Sequence, residues 1–327
     1  MSFPPIKRLL GLMAESRPVS QAQLSRELGC DEETLVEYVK QLHGLGLNIE
    51  ENAAGDVVLL EPIELLDESL ILYSMDTETS TMLKGIKIEE TLDSTNLGLE
   101  RMPEQDRHGF VILAEHQSSG RGRRGRRWVS PYAKNIYLSL GWQFQNDLAE
   151  LGCLPLVVAL AVCKALSHAG LEGHRVKWPN DLLMNGRKLA GCLVDIQGDN
   201  KGPCHAVIGV GINVYMPESE LTAEIDQAWT DLASHLPGLS RNRVAGLLLQ
   251  ALCEDLTLFA EQGFEPFRHY WRQMDGLYGE VISAYARHES MLGTACGIDE
   301  SGALLLDNGK EILKLHSGEV SLHKTSL

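Results

Sequence analysis

The residues best suited to chemistry in this sequence form one short run, Gly120–Trp128, which reads GRGRRGRRW. Five arginines and three glycines fall within its first eight residues. Guanidinium forks bind phosphate or carboxylate oxygens in pairs, and glycine lets the backbone approach a ligand closely. Because five like charges repel one another, we expect an anionic ligand to order this loop. The run predicts a polyanion-binding loop, and a solvated basic loop or a nucleic-acid patch stays open as an alternative.

A second run with reactive residue types is Lys177–Asp181, KWPND, followed by Lys188–Gly191, KLAG. Proline fixes φ, and Asn and Asp side chains accept local hydrogen bonds, so WPND predicts a tight turn between two strands. Lys188 follows Asp181 by seven residues and starts the next strand. A lysine at that place could offset negative charge on an acyl phosphate in a transition state. A β-hairpin with an exposed lysine is the simpler interpretation of the same residues.

Two weaker patterns complete the candidate sites. Asp93–Asn96, DSTN, is typical of a helix N-cap, and its hydroxyl and N–H groups could also hold polar ligand atoms. Gly209–Asn213, GVGIN, matches a dinucleotide fingerprint only in part, since neither a third glycine nor a helix start follows it. We therefore exclude a dinucleotide-binding turn at this place.

The elements around these motifs alternate between strands and helices over residues 86–274. Two long apolar runs, Pro155–Ala169 and Arg241–Gln262, predict helices. Strands that return on one another with long helices between them indicate an α/β or α+β domain with a mixed sheet. The predicted strands are Phe110–Glu115, Ile136–Trp142, Val176–Trp178, Asp181–Asn185, Lys188–Ile196 and His205–Val214.

The amino-terminal residues 1–65 predict a small helical domain. Ser20 and Asp31 are candidate caps of two successive helices, and Gly29 ends the first of them. Two short helices joined in this way form a helix-turn-helix pattern. A β-wing is predicted over Leu47–Leu60, so the whole segment predicts a winged helix-turn-helix domain.

Residues 66–85 and 275–327 differ from the central region in the pattern of their apolar and polar residues. The first segment mixes acidic and apolar residues and is interpreted as a linker. In the second, short apolar runs are separated by glycine and Asp-Asn-Gly turns. Such spacing predicts a small β-barrel.

Composition narrows the class of protein. The 327 residues are 44% hydrophobic and 23% charged, which suffices to bury a sizeable core without disulfides or metals. The net charge of −16 disfavours nucleic acid overall, so phosphate binding must come from local basic clusters. Seven scattered cysteines without a C-x-x-C pair indicate reduced thiols in a cytoplasm and argue against a zinc site. No secretory signal is visible, and the apolar run from Cys153 predicts a buried helix too short to span a bilayer.

Together these motifs resemble the biotin–protein ligases, and their order and spacing are similar to the larger, bacterial ligase/repressor form of that family. The resemblance covers nearly the whole chain and implies a central catalytic domain of the class II synthetase-like type and an SH3-like C-terminal barrel. It implies that the protein uses ATP and Mg²⁺ to convert biotin to biotinyl-5′-AMP. Biotin would then pass to a lysine of the biotin carboxyl carrier protein of acetyl-CoA carboxylase. The residues that carry the resemblance are Asp93–Asn96, Gln117–Trp128, Asn135, Tyr137, Lys177–Asp181, Lys188–Gly191 and Gly209–Asn213.

The resemblance also implies residue roles. The implied catalytic side chains are those of Lys188, Arg123 and Arg126. The implied biotin-binding residues are Ser94, Thr95, Asn96, Gln117, Gly120, Arg121, Gly122, Arg123, Tyr137, Lys188 and Gly191. The implied ATP- or adenylate-binding residues are Arg121, Arg123, Arg126, Trp128, Asn135, Lys177, Asn180, Asn213 and Trp229.

The family also contains repressors that bind a biotin operator, as dimers that form when the adenylate is bound. The implied DNA-binding residues are Ser20, Gln21, Asp31, Glu33, Thr34 and Lys40. The charge argues against this role, because residues 1–65 hold five basic and eleven acidic side chains, a net charge of −6. Most non-specific affinity for DNA comes from basic side chains on phosphates. Operator binding and a ligand-dependent homodimer therefore stay open.

Two alternative functions also stay open. A non-catalytic, biotin-sensing repressor would share the fold, although the acidic recognition helix counts against it. A lipoate-type acyl-protein ligase would share the adenylation chemistry, although the KWPND and GRGRRGR motifs favour biotin.

Overall fold

The computed structural model describes residues 4–13, 17–61, 63–198, 202–216, 220–223, 225–286, 289–316 and 320–324. Within these ranges the strands form three sheets, of three, seven and five strands in chain order. The protein has a mixed α/β fold with a large mixed sheet at its centre and an antiparallel sheet near its carboxyl end.

The amino-terminal group combines three helices with a small antiparallel sheet of order β1-β3-β2. Its elements are α1 (Pro4–Met13), β1 (Val19–Ser20), α2 (Gln21–Leu28), α3 (Glu32–Gly44), β2 (Ile49–Glu51) and β3 (Asp56–Leu59). Ser20 Oγ accepts a hydrogen bond from the Gln23 N–H at 3.2 Å, and Asp31 accepts one from the Thr34 N–H at 2.9 Å. Gly29 ends α2 with a φ of 69°. Both predicted caps and the predicted helix end are confirmed.

Short helices occupy the stretch interpreted above as a linker and the stretch after it. They are α4 (Glu68–Tyr73), α5 (Thr77–Ser80), α6 (Thr95–Glu100) and α7 (Glu104–Arg107). Asp67 and Asp76 cap α4 and α5, and Ile71 of α4 is fully buried. Its carbonyl oxygen would lie 2.4 Å from a Cβ placed on Gly246, so α4 packs closely on the helix Arg241–Gln262. With 6 and 4 residues, these two helices are too short for hydrophobic periodicity to reveal them.

The central sheet has the strand order β4-β5-β6-β10-β9-β8-β7. Its strands are β4 (Gly85–Leu92), β5 (Phe110–Gln117), β6 (Ile136–Phe144), β7 (Arg175–Lys177), β8 (Asp181–Met184), β9 (Arg187–Gly198) and β10 (Cys204–Ile212). β4 and β5 are parallel, and the other neighbouring strands pair antiparallel. The six predicted strands are confirmed to within two residues at each end. The edge strand β4 was not predicted, because its side chains do not alternate between buried and exposed.

Two long helices, α8 and α10, pack together and share the hydrophobic core of the central sheet. The helices of this region are α8 (Leu154–His168), α9 (Glu220–Ala223), α10 (Arg241–Gln262) and α11 (Arg268–Met274). Three-residue to six-residue 3₁₀ turns lie at Arg123–Gly125, Leu148–Cys153 and Glu265–Phe267. The two long helices predicted from sequence are confirmed.

Among the described residues, one helical stretch, Leu148–His168, is long and apolar enough to cross a membrane by length and composition alone. This stretch is longer than the apolar run from Cys153 because a 3₁₀ turn, Leu148–Cys153, continues directly into α8. The interpretation as a buried helix is confirmed, since 67% of its most apolar window lies inside the protein.

The carboxyl-terminal sheet is antiparallel, with the order β14-β13-β12-β11-β15. Its strands are β11 (Val281–Ala286), β12 (Glu289–Ile298), β13 (Leu304–Asp307), β14 (Ile312–Leu315) and β15 (Val320–Lys324). Ile282, Ala284, Leu304 and Leu306 join the same hydrophobic core as the central sheet. The short strands predicted in this region are confirmed, and β15 is an additional strand.

Candidate functional site

A single large cleft collects most of the predicted site residues. Its empty space, including the open mouth, is about 1330 Å³. The predicted residues that line it are Ser94, Thr95, Asn96, Gln117, Arg121, Gly122, Arg123, Arg126, Trp128, Tyr137, Asn180, Lys188, Gly191, Asn213 and Trp229.

The inner end of the cleft is a network of buried polar side chains. Gln117 Oε1 accepts a hydrogen bond from the Thr95 N–H at 2.9 Å, and its Nε2 donates to Ser130 Oγ at 3.2 Å. The Ser139 hydroxyl lies 2.8 Å from Thr95 Oγ1 and 2.6 Å from Asn96 Oδ1. A hydroxyl has one proton, so Ser139 donates to only one of these oxygens at a time. The arrangement suits a small, uncharged polar group that both accepts and donates hydrogen bonds.

Ser94 begins α6 without using its side chain as a cap. The N-cap position is occupied as the sequence predicts, but no hydrogen bond joins the Ser94 hydroxyl to the first turn of the helix. Its backbone N–H is held by Asp93 Oδ1 at 2.9 Å, and Asp93 also binds Arg101. The Ser94 side chain, which lines the cleft, is therefore positioned by its neighbour and not spent on capping.

Glycines on two adjacent strands make room for the walls of the cleft. A Cβ on Gly211 of β10 would lie 2.5 Å from the Trp128 ring, and one on Gly209 would lie 2.1 Å from Asn96 Oδ1. A Cβ on Gly191 of β9 would meet the same Trp128 ring at 3.1 Å. These positions require glycine because the facing side chain takes the space of a side chain.

The arginine run forms a narrow hairpin over this floor. Arg121 and Arg127 form an antiparallel bridge, and the Gly122 N–H donates to the Arg126 carbonyl oxygen at 2.7 Å. At the tip, Arg124 has a φ of 58°. The predicted arginine cluster is thus held as a compact loop, and its closed base leads directly to Trp128.

Two of these arginines contact groups on neighbouring elements. Arg123 Nη1 donates to Asn180 Oδ1 at 2.9 Å, and burial lowers the pKa of Arg123 from its ordinary value. Arg121 lies 3.6 Å from the Glu100 carboxylate at the end of α6. The hairpin is therefore connected both to the KWPND turn and to the helix that starts at Thr95.

Lys188 lines the cleft and lies beside both Asp181 of the KWPND turn and Trp128 at the end of the arginine hairpin. Its Nζ is 2.9 Å from Asp181 Oδ1 and 5.3 Å from the centre of the Trp128 ring. The carboxylate and the aromatic face orient the ammonium group. Asp181 was not among the predicted site residues, although its place in KWPND, opposite the start of the next strand, was a usable signal.

The loop that carries Trp229 is bonded to the backbone of the same lysine. The Lys188 N–H donates to the Ala228 carbonyl oxygen and its carbonyl oxygen accepts from the Thr230 N–H, both at 2.9 Å. Asn213 Nδ2 donates to the Thr230 carbonyl oxygen at 3.0 Å. Trp229, between the two anchored residues, lines the cleft. Trp229, which the resemblance implies as an adenylate-binding residue, therefore lies on a loop bonded to Lys188.

Three predicted ligand-binding residues do not line the cleft. Gly120 lies in close packing, since a Cβ there would be 2.4 Å from the Trp128 carbonyl oxygen. Asn135 is fully buried, and its Oδ1 accepts the Val214 N–H at 2.8 Å. Lys177 ends β7 behind the turn that carries Asn180. Lining residues that were not predicted include Arg127, Asp181, Cys192, Met216, Ile225, Asp226 and Gln227.

The residues predicted for DNA binding lie in the amino-terminal group and are distant in sequence from the residues that line the cleft. Ser20 and Asp31 spend their side chains on helix caps, as described above. Gln21, Glu33, Thr34 and Lys40 lie on α2 and α3. Glu32, Glu33 and Glu37 are exposed on α3, so its outer face is acidic.

A cleft that sets cationic side chains beside a small neutral polar pocket is typical of a protein that binds an anionic ligand next to a small polar one. The comparisons agree with this class. Residues 87–213 match the Biotin/lipoate A/B protein ligase family, and residues 280–323 match the Biotin protein ligase C terminal domain.

Relatives extend this match to nearly the full chain. The bifunctional ligase/repressor BirA of Escherichia coli (strain K12) is 34% identical over 97% of this chain and 97% of its own. The biotin--[acetyl-CoA-carboxylase] ligase of Paracoccus denitrificans is 33% identical over 65% of this chain and 90% of its own. The biotin protein ligase of Aquifex aeolicus, solved with biotin and ATP, has a TM-score of 0.64 and 28% identity over 74% of this chain and 100% of its own. The chain belongs to the biotin protein ligase family and is an enzyme, a biotin ligase.

The close approach at Gly211 gives a test of the cleft. Gly211→Ala places a methyl group 2.5 Å from the Trp128 ring, so the ring must move from its position beside Lys188. Overpacking of this kind costs about 1–3 kcal/mol, and we expect affinity for ATP, the nucleotide bound by the Aquifex relative, to fall roughly tenfold or more. Titration calorimetry measures this, with Gly44→Ala as control because no atom lies within 4 Å of its Cβ. Equal affinity in the two variants would contradict the assigned role of Trp128.

Proposed function

We propose that the chain attaches biotin to a carrier lysine in two steps, through biotinyl-5′-AMP made from ATP. The observation that carries the proposal is the convergence of Lys188, Arg123 and Trp128 beside a small polar pocket in one cleft. A carboxylate is a poor electrophile, whereas the mixed anhydride of an acyl adenylate has a reactive carbonyl. The biotin and ATP bound by the Aquifex ligase support this pair of substrates.

The polar inner pocket is the proposed site of the biotin ureido ring. Ser94, Thr95 and Gln117 would exchange hydrogen bonds with the ring, since their hydroxyl and amide groups both donate and accept. Asn96, Tyr137 and Gly191 would shape the walls. Tyr137 supports this role because its hydroxyl donates to the Pro131 carbonyl oxygen at 2.9 Å, which fixes a buried ring. Gly120–Arg123, the first half of the arginine hairpin, would close over the biotin side chain.

The cationic half of the cleft is the proposed site of the nucleotide. Arg121, Arg123 and Arg126 would contact phosphate, and Trp128, Asn180 and Trp229 would hold the adenylate. Asn135 and Lys177 would act from behind these residues, and Asn213 would act from the wall of the cleft. Asn213 supports that reading, since its amide holds the Trp229 loop at the Thr230 carbonyl oxygen.

In the first step, a biotin carboxylate oxygen would attack the α-phosphorus and pyrophosphate would leave. Both reactants are anionic, so their repulsion is a large part of the barrier. Lys188, Arg123 and Arg126 would offset it, and preorganised charges of this kind contribute roughly 3–4 kcal/mol each. Asp181 would keep the Lys188 ammonium aimed between the two reactants.

Magnesium would enter with ATP as part of the substrate. Within the described ranges, no group of three or more His, Cys, Asp or Glu side chains is placed to hold a metal ion. Mg²⁺ binds through substrate phosphates and water in many nucleotide sites, and it would stabilise the departing pyrophosphate here.

In the second step, the ε-amine of the carrier lysine would attack the anhydride carbonyl. An amide bond forms, and AMP leaves with the bonding electrons. Closure of the arginine hairpin and the Trp229 loop would keep water from the adenylate. The relative named for acetyl-CoA carboxylase supports the biotin carboxyl carrier protein of that enzyme as acceptor.

We also propose a domain organisation. Residues 1–65 would form a winged helix-turn-helix domain, with α2 and α3 as the helix pair and β2–β3 as the wing. Residues 66–85 would connect it to a class II synthetase-like catalytic domain over residues 86–274. Residues 275–327 would form an SH3-like barrel, which the short, antiparallel strands β11–β15 support.

Operator binding is a second candidate function of the amino-terminal group. The full-length match to proteins named as ligase/repressors favours it. The exposed acids of α3 oppose it, because the DNA backbone requires basic contacts. A homodimer that forms with bound adenylate belongs to this candidate function.

The ligase proposal is tested by labelling a biotin carrier domain in the presence of ATP, Mg²⁺ and biotin, with streptavidin detection and a pyrophosphate assay. Lys188→Ala and Arg123→Ala should each lower the rate of pyrophosphate release by about 10²–10³. Lys84→Ala, which removes an exposed lysine paired with Asp106, should leave it unchanged. Full pyrophosphate release by Lys188→Ala would remove that residue's role. Unlabelled carrier with wild-type protein would favour a non-catalytic biotin sensor, and labelling with lipoate in place of biotin would favour the lipoate-type alternative.

The repressor candidate is tested by a mobility-shift titration on the protein's own biotin-operon promoter with biotinyl-5′-AMP present. Because α3 is acidic, we expect no specific shift at physiological salt. Charge reversal of two exposed acids, Glu33→Lys with Glu37→Lys, should increase non-specific affinity and steepen its salt dependence. A specific, adenylate-dependent shift by the wild-type protein would establish operator binding.

A further inference from the structure

A buried lysine lies at the contact between the amino-terminal group and the central sheet. Lys134 is 2% exposed and forms an ion pair with Glu61, in the stretch of chain between β3 and α4. Glu61 Oε1 also accepts a hydrogen bond from Asn48 Nδ2 at 2.8 Å. Breaking such a buried pair leaves an uncompensated charge, so Lys134 binds the two parts of the molecule firmly.

The same lysine contacts the segment that leads to the Trp229 loop. Lys134 Nζ lies 4.6 Å from the centre of the Tyr215 ring, and its carbonyl oxygen accepts the Tyr215 N–H at 3.1 Å. The next residue, Asn135, accepts the Val214 N–H. Met216, which follows Tyr215, lines the cleft. The position of this cleft wall is therefore fixed by bonds from residues 134 and 135.

The neighbouring residues connect the same segment to the amino-terminal core. Tyr132 and Ala133 are buried in the hydrophobic cluster of the amino-terminal group, and the Tyr132 N–H donates to the Leu45 carbonyl oxygen at 3.3 Å. Asn135's carbonyl oxygen accepts two bonds from Arg241, which also pairs with the buried Glu115. Residues 132–135 begin four positions after Trp128, the last residue of the arginine hairpin.

We propose that Lys134, through its pair with Glu61, is a positioning residue for the nucleotide half of the cleft. The inference rests on the proposed function and adds a role for the amino-terminal group in catalysis that does not depend on DNA. Lys134 acts through Tyr215 and Met216 and touches no substrate. Thr95, Gln117 and Ser139 bond to one another, to Asn96 or to Ser130, and not to Lys134 or Tyr215, so the effect should fall on ATP and not on biotin.

The test is steady-state kinetics of carrier labelling by Lys134→Met, which keeps most of the unbranched side chain and removes its charge. We expect KM for ATP to rise roughly tenfold, within the range of couplings carried by packed networks. The kcat for carrier labelling and the KM for biotin should each change by less than about twofold. Lys134→Arg, which keeps the charge, should restore most of the ATP affinity. Lys84→Met, which breaks the exposed pair with Asp106, is the matched control.

Glu61→Gln provides a second variant in case Lys134→Met does not fold, since Glu61 is partly exposed and the change conserves its shape. The same rise in KM for ATP, smaller in size, is expected. An unchanged KM for ATP, or equal rises in KM for ATP and for biotin, would overturn the positioning role. If the wild-type protein labels no carrier, the proposed function itself fails, and that result is distinct because it needs no variant.

Discussion

Repulsion among five guanidinium groups in one hairpin is the constraint on which this cleft depends. Arg121 and Arg127 face each other across the hairpin although both are cations, and backbone hydrogen bonds hold them there. Glu100 and Asn180 bind Arg121 and Arg123 from neighbouring elements. A polyanion bound in the cleft would relieve this repulsion, and under the proposed function that polyanion is the nucleotide. The acidic remainder of the chain limits such binding to this place.

Close packing connects the arginine hairpin to the central sheet. Trp128 ends the hairpin and lies on glycines of β9 and β10, and its face meets the ammonium group of Lys188. Lys188 in turn holds the backbone on both sides of Trp229. Two loops that are distant in sequence therefore share one lysine, which explains how a small acid and a nucleotide could be enclosed together.

The sequence predicted the central strands and long helices well because their apolar periods run over many residues. It also located most of the cleft, since GRGRRGR and KWPND are chemically unusual. It missed α4, α5 and β4, which are too short or too evenly exposed to carry a period. It missed Ser139 and Asp181, whose partners lie on other elements of the fold. It also predicted Asn135 at the ligand, and that side chain holds the Val214 N–H just after β10.

The most direct measurement is a crystal structure with a non-hydrolysable biotinyl-5′-AMP analogue. The account predicts that the phosphoryl oxygens bind Lys188 and the arginines of Gly120–Trp128, while the ureido ring lies against Thr95 and Gln117. An analogue bound elsewhere, with Lys188 still paired only to Asp181 and the arginine hairpin unchanged, would contradict it.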